Sequence, residues 1–178
     1  MQARLDPAKR PDVPVLLDQF GRVARDLRIS VTDRCNLRCQ YCMPAEGVEF
    51  SSPDRILTDD EIKRMIHIGV QQCGIEKIRF TGGEPLMRRS LEELVSYAAS
   101  LCTWKGTRPD LSMTTNGLGL THRAEALARA GLQRVNISMD LATRQGYRMM
   151  TRRDRFDDAV QGAAAAAQAG LRPVKLNA

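Results

Sequence analysis

Three cysteines crowd into one short stretch, Thr32-Asp33-Arg34-Cys35-Asn36-Leu37-Arg38-Cys39-Gln40-Tyr41-Cys42. At the spacing Cys-x3-Cys-x2-Cys a single loop can turn three thiolates onto one small volume, and thiolates are the ligands of soft metals and of iron–sulfur clusters. A [4Fe-4S] cubane has four irons, so three cysteines leave one iron open. A small molecule that chelates the open iron can receive an electron there. Structural zinc is the competing reading. It usually takes a fourth Cys or His at similar spacing, whereas His67 and His122 stand far along the chain on expected helices. The other two cysteines, Cys73 and Cys102, match no motif and are expected to be buried structural thiols.

A second stretch with chemical potential is Thr81-Gly82-Gly83-Glu84-Pro85, where two glycines permit a backbone approach that a side chain would block. Both stretches follow short segments of alternating hydrophobicity, and such segments recur. Leu27/Ile29/Val31, Ile78/Phe80, Leu111/Met113, Val135/Ile137/Met139 and Val174/Leu176 each have period two, the signature of a strand. Helical patterns lie between them. Thr58-Asp59-Asp60-Glu61 is a capping box ahead of Ile62, Met65 and Ile66, and Ser90 offers a second cap-like start. Two further helices are expected over about 121–130 and 156–169, each stopped by a glycine, Gly131 and Gly170. The order βαβαβαβαβ predicts an α/β fold with a parallel sheet and right-handed crossovers.

Parallel strands covered on both faces normally read as continuous apolar runs. Here the opposite face is polar: Arg28 and Ser30, then Lys77, Arg79 and Thr81, then Ser112 and Thr114, then Asn136, Ser138 and Asp140, then Lys175 and Asn177. This predicts a curved, open sheet whose concave side is a wet cavity lined by four cations and one acid. An anionic ligand such as a phosphate ester suits that balance. Arg88 and Arg89 have two readings, contact with an anionic substrate or flanking the helix that starts near Ser90, and the second is favoured.

Composition bounds the alternatives. The chain has 178 residues, 27 Lys+Arg against 21 Asp+Glu for a net charge of +6, and 43% hydrophobic residues, enough for a real core. Aromatic residues make up only 4%, and no basic run is interleaved with them, so no nucleic-acid partner is expected. No apolar run approaches the roughly 18 residues of a membrane span, and Pro7, Pro11 and Pro14 break the N-terminus, so neither a membrane nor an export signal is expected. Five cysteines without such a signal fit a reducing, cytoplasmic setting. Residues 1–20 read as a polar tail and 21–178 as the core domain, with Val15-Leu16-Leu17 too short to specify an element.

The Cys35-x3-Cys39-x2-Cys42 loop with Tyr41 before its last cysteine, followed after the next strand by Thr81-Gly82-Gly83-Glu84-Pro85, resembles the radical S-adenosylmethionine (SAM) enzymes. Within them, 26–36, 77–89, Thr114-Thr115-Asn116-Gly117 and 135–140 resemble the GTP 3′,8-cyclases of molybdenum cofactor biosynthesis. The resemblance implies a partial (β/α) barrel in which Cys35, Cys39 and Cys42 hold a [4Fe-4S] cluster. It further implies that Tyr41, Gly83 and Ser138 contact SAM, and that Arg28, Arg79, Thr114 and Lys175 contact GTP. The implied reaction is reduction of SAM by the cluster, fed by an electron donor, to a 5′-deoxyadenosyl radical. That radical takes the 3′ hydrogen of GTP, and the substrate closes to 3′,8-cyclo-7,8-dihydro-GTP.

Against that family the sequence is expected to be incomplete at its C-terminus, ending after four βα units and a fifth strand. No cysteine follows Cys102, so the second cysteine trio of those enzymes has no counterpart here. Three readings stand: a portion of a GTP 3′,8-cyclase, another radical SAM activity such as peptide maturation, or a non-catalytic SAM- or cluster-binding module. An exposed fifth strand is expected to favour self-association.

Overall fold

The computed structural model describes residues 15–177. It begins with a small antiparallel ribbon, β1 (Leu16–Leu17) against β2 (Val23–Ala24). Three apolar residues did not suggest an element there. The ribbon exists because Asp18 closes its turn, its carboxylate accepting from the backbone N–H groups of Phe20 at 2.8 Å and Arg22 at 3.0 Å. Positions 1–14 of the expected tail lie outside the described residues.

The main sheet is built from β3 (Asp26–Ser30), β4 (Lys77–Thr81), β5 (Asp110–Thr115), β6 (Arg134–Ser138) and β7 (Val174–Asn177). All pair in parallel and in chain order. All five expected strands form, with shorter or shifted ends: Val31, Met139 and Asp140 lie just beyond their strands, and Arg134 joins β6. The crossovers are α1 (Asp59–His67), α2 (Leu91–Ser100), α3 (Leu120–Arg129) and α5 (Phe156–Gln168). An unforeseen helix, α4 (Arg144–Thr151), precedes α5.

One sheet face makes the core. Ile29, Phe80, Met113, Val135 and Ile137 are buried against Ile62 and Ile66 of α1, Leu94 and Val95 of α2, Leu120 and Leu127 of α3, and Ala166 of α5. Each large side chain withdrawn from water in this way contributes about 1.5–3 kcal/mol. Among the described residues no helix is long and apolar enough to cross a membrane.

The capping box of α1 forms as read, the Glu61 carboxylate accepting from Thr58 N–H at 2.8 Å while Thr58 Oγ1 accepts from Glu61 N–H at 3.3 Å. The second start differs. Ser90 makes no cap bond; its hydroxyl donates to Asp59 Oδ1 at 2.8 Å, beside an Arg88–Asp59 ion pair. A carboxylate is the stronger acceptor, so the position links the first turns of α1 and α2. Arg88 also donates to the carbonyls of Val31 at 2.6 Å and Leu57 at 3.0 Å, in keeping with a helix-flanking role. Cys73 is partly buried, but Cys102 is exposed, contrary to expectation, because α2 ends at Ser100 and Cys102 falls in the irregular segment after it.

Candidate functional site

The cysteine loop leaves the C-terminal edge of β3, where ligand sites of parallel sheets gather. Its base is stapled to the glycine pair. Gly83 N–H donates to Thr32 O at 2.6 Å, and Glu84 N–H donates to Arg34 O at 2.7 Å. The approach is so close that a Cβ on Gly83 would lie 2.4 Å from Arg34 O and 2.5 Å from Asp33 O. Glycine at 83 is therefore a packing requirement between the two motifs.

The other side of the loop is held by α4. Orphan carbonyls at a helix C-terminus need donors, and here the loop supplies them. Arg38 N–H donates to Thr151 O at 3.1 Å, Gln40 N–H to Met150 O at 2.9 Å, and the Gln40 side-chain amide to Met149 O at 2.8 Å. Arg152, left-handed at φ 55°, returns a guanidinium that donates to Arg38 O at 3.0 Å and Met43 O at 2.9 Å. Within the loop the N–H groups of Cys42 and Met43 both donate to Cys39 O.

These constraints bring Cys35, Cys39, Cys42, Tyr41, Gly83, Ser138 and Thr114 around one cavity of about 200 Å³. Glu84, only 1% exposed, forms its hub. Its carboxylate accepts from Thr115 Oγ1 at 2.7 Å, Asn116 N–H at 2.7 Å and Leu86 N–H at 3.1 Å, while Asn116 Nδ2 donates to Asn36 Oδ1 at 2.7 Å. Burial nonetheless pushes the Glu84 carboxyl above its ordinary value. Neither Glu84 nor Asn116 was singled out from the sequence. The only signal was their place inside the quoted segments.

Tyr41 donates to Asp140 Oδ2 at 2.8 Å; burial, then that bond, pushes its phenol up. Tyr147 on α4 also lines the cavity, 1% exposed, and burial followed by the charge of Cys39 pushes it up to about 12.

Burial raises the thiols of Cys35 and Cys39; the charges of Glu84 and Cys42 add to it at Cys35, and those of Cys35, Cys42 and Asp140 at Cys39. An electropositive metal centre reverses that balance and deprotonates its ligands. Among the described residues no three His, Cys, Asp or Glu side chains converge tightly enough for a single ion. A cubane asks for less convergence, because each cysteine binds a different iron. The loop presents three thiols and no His, against an apolar wall of Leu37, Leu118 and Met139, while the carboxylates of Glu84 and Asp140 at the same cavity are engaged by Thr115, Asn116 and Leu86 and by Tyr41. The donor set suits an iron–sulfur cluster better than zinc.

Below this cavity the polar strand face descends in tiers. Ser138 pairs with Asn177; two residues lower, Thr114 pairs with Asn136 and Asn136 with Lys175; two lower again, Arg28, Arg79, Ser112 and Arg134 stand side by side. At about 3.3 Å per residue the outer tiers are about 13 Å apart. Arg28, Arg79, Ser112 and Arg134, with Lys77, line a second cavity, and Arg79 Nε is buried without a partner among the described residues. Arg134, ion-paired with Asp110, was missed because β6 was expected to start one residue later. The four residues assigned to GTP therefore divide, Arg28 and Arg79 low, Thr114 and Lys175 in the middle tier.

The chain is 53% identical over 164 residues to the GTP 3′,8-cyclase of Corynebacterium glutamicum strain R, covering 92% of this chain and 44% of that protein. It is 53% identical over 170 residues to the GTP 3′,8-cyclase of Streptomyces coelicolor, covering 96% and 49%. Against GTP 3′,8-cyclase 2 of Mycobacterium tuberculosis H37Rv it is 51% identical over 173 residues, covering 97% and 47%. The chain thus spans slightly less than half the length of these relatives. Solved structures share the fold: Streptococcus suis SuiB bound to S-adenosylmethionine, with a TM-score of 0.69 at 18% identity over 86% of this chain and 33% of that one, and methylornithine synthase, with 0.64 at 17% over 85% and 43%. The family model for the Radical SAM superfamily matches residues 29–178. Since that match runs from the first strand of the main sheet through the last, the chain belongs to the radical SAM superfamily.

Proposed function

We propose that this chain carries the catalytic core of a GTP 3′,8-cyclase of molybdenum cofactor biosynthesis, a lyase that converts GTP to (8S)-3′,8-cyclo-7,8-dihydroguanosine 5′-triphosphate. The observation that carries this reading is the two-level concave face, a cysteine-ringed cavity above a row of arginines, in a chain 51–53% identical to enzymes of that name.

In this reading Cys35, Cys39 and Cys42 hold a [4Fe-4S] cluster, with one iron left for SAM. When bound and reduced by an electron donor, the pair supplies the radical that initiates the chemistry. The rest is the work of the chain's own side chains. Tyr41, Gly83 and Ser138 line the upper cavity and orient SAM. The side-chain direction of Gly83 is closed by the carbonyls of Asp33 and Arg34, so it is the Gly83 backbone that meets the amino end of the ligand. Arg28 and Arg79 attract the triphosphate to the lower tier, with Lys175 and Thr114 above them. The 13 Å ladder of polar tiers is long enough to hold an anionic tail low while presenting the sugar to the upper cavity. Walls of Leu37 and Tyr147 limit water there, so the nearest hydrogen is the substrate's. Thiolate ligation of an oxygen-sensitive cluster fits the reducing cytoplasm.

The test is equilibrium binding of GTP to the anaerobically reconstituted chain. Arg79→Ala and Arg28→Ala should each weaken GTP by about 10- to 100-fold, the worth of a charge-assisted bond, and leave SAM affinity unchanged. GTP affinity equal to wild type in both variants overturns the assignment.

A further inference from the structure

The lower cavity holds a cation that the GTP contacts named so far leave out. Arg134 of β6 lines it together with Arg28, Lys77 and Arg79, in a space of about 280 Å³. The register sets Arg79, Ser112 and Arg134 directly side by side on β4, β5 and β6, so their side chains leave the same face of the sheet. Ser112 is small and buried, and its hydroxyl turns back to donate to Ile78 O at 3.3 Å. The two arginines therefore stand two strands apart, roughly 9–10 Å between backbones, on either side of a notch floored by a serine.

Arg134 is also anchored. Its Nη1 is ion-paired with Asp110, two residues below Ser112 on the neighbouring strand, and its side chain stays 23% exposed. A guanidinium carries five donors, and among the described residues Asp110 engages only one arm, so the remaining fork is open to an anion. A side chain already held loses less freedom when it binds. With Arg28, Lys77, Arg79 and Arg134 against Asp26 and Asp110, the charge at this end of the sheet stays positive.

Resting on the GTP reading above, we propose that Arg134 is a specificity-determining residue: held by Asp110, it faces Arg79 across Ser112 and binds the terminal phosphates, so that this tier selects a triphosphate over a monophosphate. The tier lies about 13 Å below Ser138. With the sugar presented to the upper cavity, the first phosphate falls near the middle tier and the outer phosphates extend to Arg134.

The test is equilibrium binding of GTP, GMP and SAM to the anaerobically reconstituted protein. Removing Arg134 alone would leave Asp110 as a free carboxylate beside the phosphates, so Asp110→Asn/Arg134→Ala is compared with Asp110→Asn. Loss of Arg134 should weaken GTP by about 10- to 100-fold, the worth of a charge-assisted bond, and leave GMP and SAM within about threefold. Equal GTP affinity in the two proteins, or GTP and GMP weakened alike, overturns the proposal. Arg79→Ala is measured in parallel: if it weakens GTP while loss of Arg134 does not, the GTP reading stands and the Arg134 assignment falls. No GTP binding by the wild-type chain overturns both. Should the double variant not fold, Arg134→Lys, which keeps the charge and loses the fork, must weaken GTP by about threefold or more and spare GMP; unchanged GTP affinity overturns the proposal.

Discussion

Gly83→Ala tests whether the glycine pair and the cysteine loop form one rigid unit. The added Cβ would lie 2.4 Å from Arg34 O, 2.5 Å from Asp33 O and 2.7 Å from the Arg34 carbonyl carbon. Carbon contacts relax only near 3.5 Å, so the two backbones must part by roughly 0.8 Å. That movement stretches the Gly83–Thr32 and Glu84–Arg34 hydrogen bonds, now 2.6 and 2.7 Å, beyond useful length. Overpacking costs about 1–3 kcal/mol, and each lost bond adds about 0.5–1.5 kcal/mol. Together they amount to about 2–6 kcal/mol, which in a chain of this size lowers Tm by about 4–24 °C. Calorimetric unfolding reads the fall, and iron uptake on reconstitution should drop with it because the loop base moves. Gly106→Ala is the control. Its Cβ meets nothing within 4 Å, so only the cost of a left-handed alanine, about 1–2 kcal/mol, remains. A Gly83→Ala protein that melts within about 2 °C of wild type and takes up full iron would refute the reasoning.

Asp59→Asn should lower stability at neutral pH by about 1.5–3 kcal/mol. Burial opposes charge on Asp59, but Arg88 and Ser90 hold its carboxyl below the usual value, so its contribution is present above about pH 4 and is lost as pH falls through the lower folded value. Unfolding midpoints of the two proteins should converge in acid; parallel curves down to pH 2.5 contradict the assignment. Arg152→Ala removes two bonds from the cysteine loop and should speed amide exchange at residues 38–43 by about tenfold, one exposed charge-assisted bond's worth. Unchanged exchange there would show that the α4 carbonyls alone hold the loop.

How far the sequence could be read depended on periodicity. Five strands alternate strictly, and both their order and their polar face emerged because one face packs helices and the other does not. The capping box at Thr58 was legible because its chemistry is local. By contrast α4 has eight residues, a glycine at 146 and only Tyr147 and Thr151 buried, too weak a pattern to register, yet it holds the cysteine loop from above. Ser90 looked like a cap until Asp59, 31 residues away, proved the better partner. Glu84 is a hub only because the parallel register brings Thr115 and Asn116 to it. Long-range polar pairing carries no period, and Arg134 was lost to a boundary placed one residue late.

The account rests most directly on what the cysteine loop holds. Iron, sulfide and Mössbauer analysis of the anaerobically reconstituted chain should give about four irons and four sulfides per chain, with uptake lost in Cys35→Ala, Cys39→Ala and Cys42→Ala taken singly. Iron content unchanged by all three replacements, or a single tightly held zinc in place of the cluster, would contradict it.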